Sequence, residues 1–298
     1  MYLLAELFPL VRQVRLPINR DRAMLMLLAL MQMGMAVEAY AGHQISGTIV
    51  PNERTPVVFG ALAALTLVLS GVLARRHHMT AALLATITFL ASIAVGLLGV
   101  YFHLRRVVLP AAPAGQLFSL HRLIWAPPFV APLMFALIGV LGLSAVWRES
   151  PPDSGVLMLP GARRLFMPLS KTRALFLWVG LAFLATVVSS VLDHARANFI
   201  NPWLWAPTLV GTFAAGVTLV MGFLERPSRS ELWVYLIAQV LMLVIGPIGA
   251  LLHLQTNLTA GGGQWVLERL LRGAPVLAPL LFSNMGLLGL LVLLDPAD

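Results

Sequence analysis

Four of the seven histidines in this 298-residue chain recur in a pattern that could do chemistry. His43 stands 13 residues before Pro56, and His194 stands 13 residues before Pro207. His103 closes the string Gly96-x-x-Gly99-x-x-x-His103-Leu104, which returns as Gly246-x-x-Gly249-x-x-x-His253-Leu254. A neutral imidazole binds heme iron, copper and non-heme iron alike. On a helix, the residues four and seven before a histidine share its face. Gly99 and Gly96, or Gly249 and Gly246, therefore clear a flat strip beside the ring, and Ala39 and Ser190 stand four before His43 and His194. Such a strip suits a planar macrocycle whose iron takes the imidazole as axial ligand. Two histidines in each half would hold one heme b per half, two in all. The same imidazoles would hold copper or iron. The same glycines also serve plain helix packing, which needs no cofactor at all.

Other groups that could support such a site are few. Arg122 aligns with Arg269 in two amphipathic outer stretches, where each could pair with a heme propionate or a lipid phosphate. Glu38 and Asp193 are the acidic residues inside apolar runs, each close to a histidine. His77, His78 and His121 read as solvated surface residues. No cysteine is present, which excludes disulfides, thiolate metal sites, cysteine-held iron–sulfur clusters and thioether-linked heme. No phosphate loop, dinucleotide fingerprint, zinc-protease helix or nucleophile motif occurs, so no reaction can be assigned.

The elements that position these residues are set by composition. Hydrophobic residues make up 59% and charged residues 11%, well under the quarter or so that soluble domains carry. Apolar runs cover about 23 to 43, 56 to 74, 79 to 103, 125 to 147, 173 to 194, 203 to 224, 231 to 253 and 274 to 294, each near the ~20 residues of a bilayer-spanning helix. The expectation is an all-α integral membrane protein of eight transmembrane helices. The +8 charge, 19 Arg and the single Lys171, then reports topology rather than nucleic-acid binding. Arg12, Arg15, Arg20 and Arg22, the turn at Arg75 and Arg76, the 148 to 173 loop, and Arg226 with Arg229 hold 13 of the 20 basic residues on one side. That bias puts both termini in the cytoplasm of a bacterial-type inner membrane. It places Trp125, Trp203, Trp205 and Trp265 at the outer boundary, and Trp147 and Trp233 at the inner one.

The chain also repeats itself at an offset near 150. Ala131-Pro132-Leu133-Met134-Phe135 through Leu143 returns as Ala278-Pro279-Leu280-Leu281-Phe282 through Leu290, identical at 8 of 13 positions. The run opening at Pro56 with Gly60, Ala63, Ala64 and Gly71 matches that at Pro207 with Gly211, Ala214, Ala215 and Gly222. Residues 23–147 and 173–294 are thus two tandem four-helix bundles. An even helix number makes them parallel, related by a pseudo-two-fold axis along the membrane normal. Residues 1–22 form a cytoplasmic surface segment, 148–172 a cytoplasmic linker and 295–298 a tail. Arg22, the apolar run and Ala39-Tyr40-Ala41 have the form of a signal peptide, but the repeat places an equivalent helix in mid-chain.

Two tandem four-helix bundles, each with two histidines near the outer face, resemble heme A synthase, the membrane enzyme that oxidises a heme methyl group. The resemblance is one of arrangement. In that family the histidines belong to the even helices, one within Glu-x-x-His-Arg, whereas here they close the odd ones and Glu38 lies five residues from His43. The outer-loop cysteines of many members are also missing, so no catalytic residue is carried over. The functional expectation is a redox-complex subunit passing electrons near the outer face between quinone and a periplasmic or membrane partner. The competing expectations are a cofactor-free anchor or scaffold and, ranked lower, a transporter.

Overall fold

A computed structural model describes residues 3–13, 18–45, 47, 49–74, 76–161 and 163–294. Arg15, Arg75 and the 295–298 tail, named above, lie outside the described residues, as does the Arg12 side chain.

The chain is all-α apart from one small sheet. Its helices are α1 (Leu3–Leu7), α2 (Arg20–Ile45), α3 (Pro51–Leu73), α4 (His78–Arg105), α5 (Leu120–Trp125), α6 (Val130–Val146), α7 (Lys171–Ala195), α8 (Trp205–Phe223), α9 (Arg229–Ala260), α10 (Leu267–Arg272) and α11 (Leu280–Val292). Helix starts carry local signals. Glu53 reaches back to the Val50 N–H at 3.2 Å, and Ser170 accepts from the Arg173 N–H. Ser228 and Glu231 bond each other's backbone N–H groups in a capping box.

Six helices are long and apolar enough to cross a bilayer: α2, α3, α4, α7, α9, and α8 with the turn before it. The chain is a multi-pass membrane protein. Leu30, Leu62, Val72, Ile87, Leu209 and Leu251 point outward, as lipid-facing residues do, while Gly60, Ala63, Ala64, Ala214 and Ala215 are buried between helices. Two of the eight apolar runs gave shorter helices than expected, α6 of 17 residues and α11 of 13. Pro127 with Pro128, and Pro275 with Pro279, remove N–H groups that an earlier helical start would need. Both short helices are the most enclosed, with Met134, Phe135 and Ile138, or Met285, Leu288 and Val292, nearly inaccessible. In the other direction α9 outruns its apolar stretch to Ala260, because buried Asn257 bonds both the N–H and the carbonyl of Ala274, each at 2.8 Å.

Helices α2, α3, α4 and α6 pack in a ring that closes on α2, and α7, α8, α9 and α11 pack in a ring that closes on α7. The rings meet reciprocally, α6 on α7 and α11 on α2. The first and last described segments meet at one end of the molecule, where the Leu4 N–H donates to the Leu293 carbonyl at 3.1 Å. The first segment, expected to lie along a membrane surface, folds back onto α9, with Leu3, Ala5 and Leu7 buried.

That same end holds a buried ionic junction which charge counting missed. Lys171 donates to Asp21 at 2.7 Å and to the Trp147 carbonyl at 2.9 Å, and Arg20 donates to Thr172 at 2.8 Å. Arg20 and Lys171 are each 1% exposed, so neither is the interfacial charge that the topology argument assumed. The 148–172 linker adds the antiparallel strands β1 (Arg148–Glu149), β2 (Val156–Met158) and β3 (Arg164–Phe166), in the order β1-β2-β3. Glu149 turns from β1 to accept the Gly155 and Lys171 N–H groups at 2.7 and 2.9 Å, fixing where α7 begins.

Candidate functional site: two imidazole pairs

At the end opposite the termini, α2 and α4 stand at opposite corners of the first ring and α7 and α9 at opposite corners of the second. The last turns of α2, α4 and α7, with His253 two turns before the end of α9, bring the four repeated histidines together in pairs. The His43 and His103 ring centres lie 6.3 Å apart with planes at 82°. The His194 and His253 ring centres lie 6.4 Å apart with planes at 73°.

The pairs share one half of their supporting shell. His103 Nδ1 lies 3.0 Å from the Pro128 carbonyl, and His253 Nδ1 lies 2.9 Å from the Pro275 carbonyl. Pro128 and Pro275 are equated by the repeat, three residues before Ala131 and Ala278. His194 Nδ1 lies 3.1 Å from the Leu204 carbonyl, and Ser190 Oγ stands 3.4 Å from the same nitrogen. At the position equivalent to Leu204 stands Glu53, whose carboxylate lies 3.6 Å from His43 Nδ1. A carbonyl accepting from Nδ1–H fixes the tautomer and presents Nε2 as the ligand nitrogen. His103, His194 and His253 have this arrangement.

The surroundings differ. Glu53 also faces Arg106 at 3.5 Å, whereas the second pair has Asp193 and Arg196 beside it, 3.5 Å apart. Arg196 donates to the Ile124 and Ala126 carbonyls, tying the second ring to the loop of the first. Phe199, held at a left-handed φ of 51°, sets its ring edge-on to His194 and stacks on Trp205 at 4.3 Å. A positive φ is uncommon for an aromatic residue, and such positions gather at functional sites.

The glycines do not lie on an open strip. A Cβ on Gly96 would strike the Ala136 backbone N–H, and one on Gly99 would strike Pro132 at 2.5 Å. Gly246 is covered by Ser283 and Gly249 by Pro279, at 2.7 Å. The Gly-x-x-Gly faces are therefore consumed in docking α4 on α6 and α9 on α11, the alternative that spacing alone left open. Arg122 donates to the Val107 carbonyl at 3.3 Å, and Arg269 is exposed on α10. No contact joins either to a histidine among the described residues; the arginines that stand by the rings are Arg106 and Arg196. His77, His78 and His121 are exposed, and Trp125, Trp203, Trp205 and Trp265 ring the histidine end.

Sequence reading missed Glu53, Pro128, Pro275 and Leu204. The two prolines were findable, because the repeat aligns them. Leu204 acts through its backbone, which no side-chain pattern reveals. Among the described residues no cluster of three or more His, Cys, Asp or Glu side chains is placed to hold a metal ion, so each donor set is two imidazoles. A scan against protein-family models, a search of curated proteins and a search of solved structures each find no match to this chain.

Proposed function

We propose that this chain is a redox subunit of eight membrane spans, in which each tandem four-helix unit holds one heme b between its histidine pair near the outer face. The observation that carries the reading is the spacing of the rings. A metal ~2.0 Å from each ligating nitrogen, with each ring centre ~1.1 Å behind it, sets the centres ~6.2 Å apart for trans ligands but only ~5 Å apart at a tetrahedral angle. Both pairs have the trans spacing. That favours axial heme ligation, or a two-coordinate copper, over a tetrahedral or facial metal site.

The reciprocal contacts of the two rings support the pseudo-two-fold arrangement. Residues 20 and 171 are equated by the repeat, as are 21 and 172; Arg20 meets Thr172 while Lys171 meets Asp21. Exchange of partners across one axis is what a two-fold interface produces. The arginine bias supports cytoplasmic termini in a bacterial-type inner membrane. Both hemes then lie at the periplasmic side, so electrons would pass laterally, between quinone and a periplasmic or membrane partner, rather than across the bilayer.

A second reading has an observation of its own. The glycines expected to seat a macrocycle pack α6 and α11 instead, which favours a cofactor-free scaffold whose imidazoles only close the bundle ends. An absorbance spectrum with elemental analysis of the purified protein separates the two. The heme reading expects a Soret band that shifts on dithionite reduction, two irons per chain, and loss of about half the band in either His103→Ala or His253→Ala. Copper at one atom per pair without a Soret band would replace heme, and neither metal nor band would leave the scaffold.

A further inference from the structure

Apart from the histidine pairs, the feature with most chemical content is one face of α2. Glu38 is exposed on the outside of the bundle, ~7.5 Å along the helix from His43 and ~27 Å from its Arg20 end. Its carboxylate has no hydrogen bond or ion pair among the described residues. Gly34 and Gly42, four residues to either side, share that face, are exposed, and have nothing within 4 Å of where a Cβ would stand. This contrasts with Gly60, Gly96 and Gly139, whose missing side chains are all taken up by neighbouring helices. Leu30, Met33, Val37 and Tyr40 flank the strip, so its surroundings are apolar.

A carboxylate on a lipid-facing helix is costly unless it is paired. Open glycines at i−4 and i+4 let another helix backbone come close enough to bring a partner to it. We infer that the Gly34, Glu38 and Gly42 face of α2 docks a transmembrane helix of another polypeptide, which presents a lysine or arginine at the depth of Glu38. A second copy of this chain fits less well: its exposed basic residues on long helices stand in end turns, such as Arg22, Arg54, Arg105 and Arg229, nearer the bundle ends than Glu38, while Arg20 and Lys171 are buried. The inference is independent of heme binding, because it uses no residue of the imidazole pairs.

The test is energy transfer in phosphatidylcholine vesicles between the labelled full-length chain and synthetic poly-Leu/Ala transmembrane peptides. These carry Lys, Leu or Glu at the matching depth. The Lys peptide is expected to associate about tenfold more tightly than the Leu peptide, within the range that interhelical polar contacts of model peptides give in lipid and above the average inside a folded bundle. Glu38→Gln should abolish that preference, and Glu38→Lys should transfer it to the Glu peptide, which also shows that the variant is folded. Gly34→Leu or Gly42→Leu should weaken association with the Lys peptide. Equal binding of Lys and Leu peptides, a preference that survives Glu38→Gln, or Glu38-dependent self-association of the chain in place of peptide binding would each overturn the proposal.

Discussion

The two halves of this molecule agree where they meet the histidines and disagree in their interiors. Pro128 and Pro275 hold equivalent imidazoles at nearly equal distances, and both ring pairs are separated by almost the same span. Below them the cores are exchanged. Gln32 in the first half is equivalent to Phe183 in the second, whereas Gln239 in the second is equivalent to Phe89 in the first. All four are fully buried. Each bundle thus encloses one large aromatic and one amide on its diagonal helices, with the roles reversed. Interiors of this kind tolerate repacking as long as volume is kept. The end turns lack that freedom, because a ring pair must keep one distance.

The widest test of this comparison is the junction that joins the halves. Asp21 is a carboxylate shared by two buried cations, 2.7 Å from Lys171 and 3.4 Å from Arg20, and disrupting a buried ionic contact of this kind costs up to ~3–5 kcal/mol. Lys171→Met should therefore destabilise strongly in equilibrium unfolding from detergent or bicelles. Its repeat mate Arg20→Met, whose side-chain partners include a neutral hydroxyl, should cost less. Asp21→Asn leaves both cations without a counter-charge and should be the costliest single change; adding Lys171→Met to it should recover only part of that loss, because Arg20 stays unpaired. If Arg20→Met proved the worse of the two, the reading of Lys171 as the central charge would fail.

The glycines sharpen the comparison at the next size. Gly96→Ala drives a methyl group into the Ala136 backbone, which cannot turn aside, and overpacking of that kind costs ~1–3 kcal/mol. Its equivalent, Gly246→Ala, first meets the Ser283 hydroxyl, which can rotate, so the smaller loss is expected there. Gly34→Ala meets nothing and should be neutral or slightly stabilising. Thermal unfolding of the three variants side by side gives the order.

What the sequence made legible follows from the same contrast. The apolar runs, the repeat and the four histidines are patterns of residue type along the chain, and the structure has helices at all eight runs with the rings in pairs. What escaped are contacts made by backbone or by proximity in space. The Leu204 carbonyl and the closure of the Gly96 strip by α6 are of this kind. The burial of Lys171 is a third case, since its charge reads identically whether it faces water or Asp21. The short α6 and α11 were obscured because apolar residues before each helix extend the run without extending the helix.

Among the differences at the histidines, the one that touches a ring nitrogen at equivalent positions is Glu53 against the Leu204 carbonyl. If the pairs hold heme, a carboxylate behind His43 makes that imidazole the stronger donor and stabilises ferric iron there. Glu53→Gln should then raise the midpoint potential of one heme and leave the other unchanged in a redox titration. A shift of both, or of neither, would break the assignment of Glu53 to the first site alone.

The smallest effects belong to the buried amides. Gln239 donates to Thr218 at 3.1 Å while its Oε1 has no partner among the described residues, and Gln32 donates to Ser92, which in turn donates to the Phe135 carbonyl at 3.0 Å. Polar contacts between membrane helices average only ~0.6 kcal/mol. Replacing Gln239 by leucine gives up one such bond but also removes an oxygen that was buried unpaired, so the net change should fall below about 1 kcal/mol. Thr218→Val keeps the amide and strands both its ends, and should therefore cost more than Gln239→Leu. The double variant should be no worse than Gln239→Leu alone. A double-mutant cycle measured by unfolding resolves the order. If Gln239→Leu were the costlier single change, the amide would have to be bonding something more than Thr218, and the exchanged cores would be more than two ways of filling one volume.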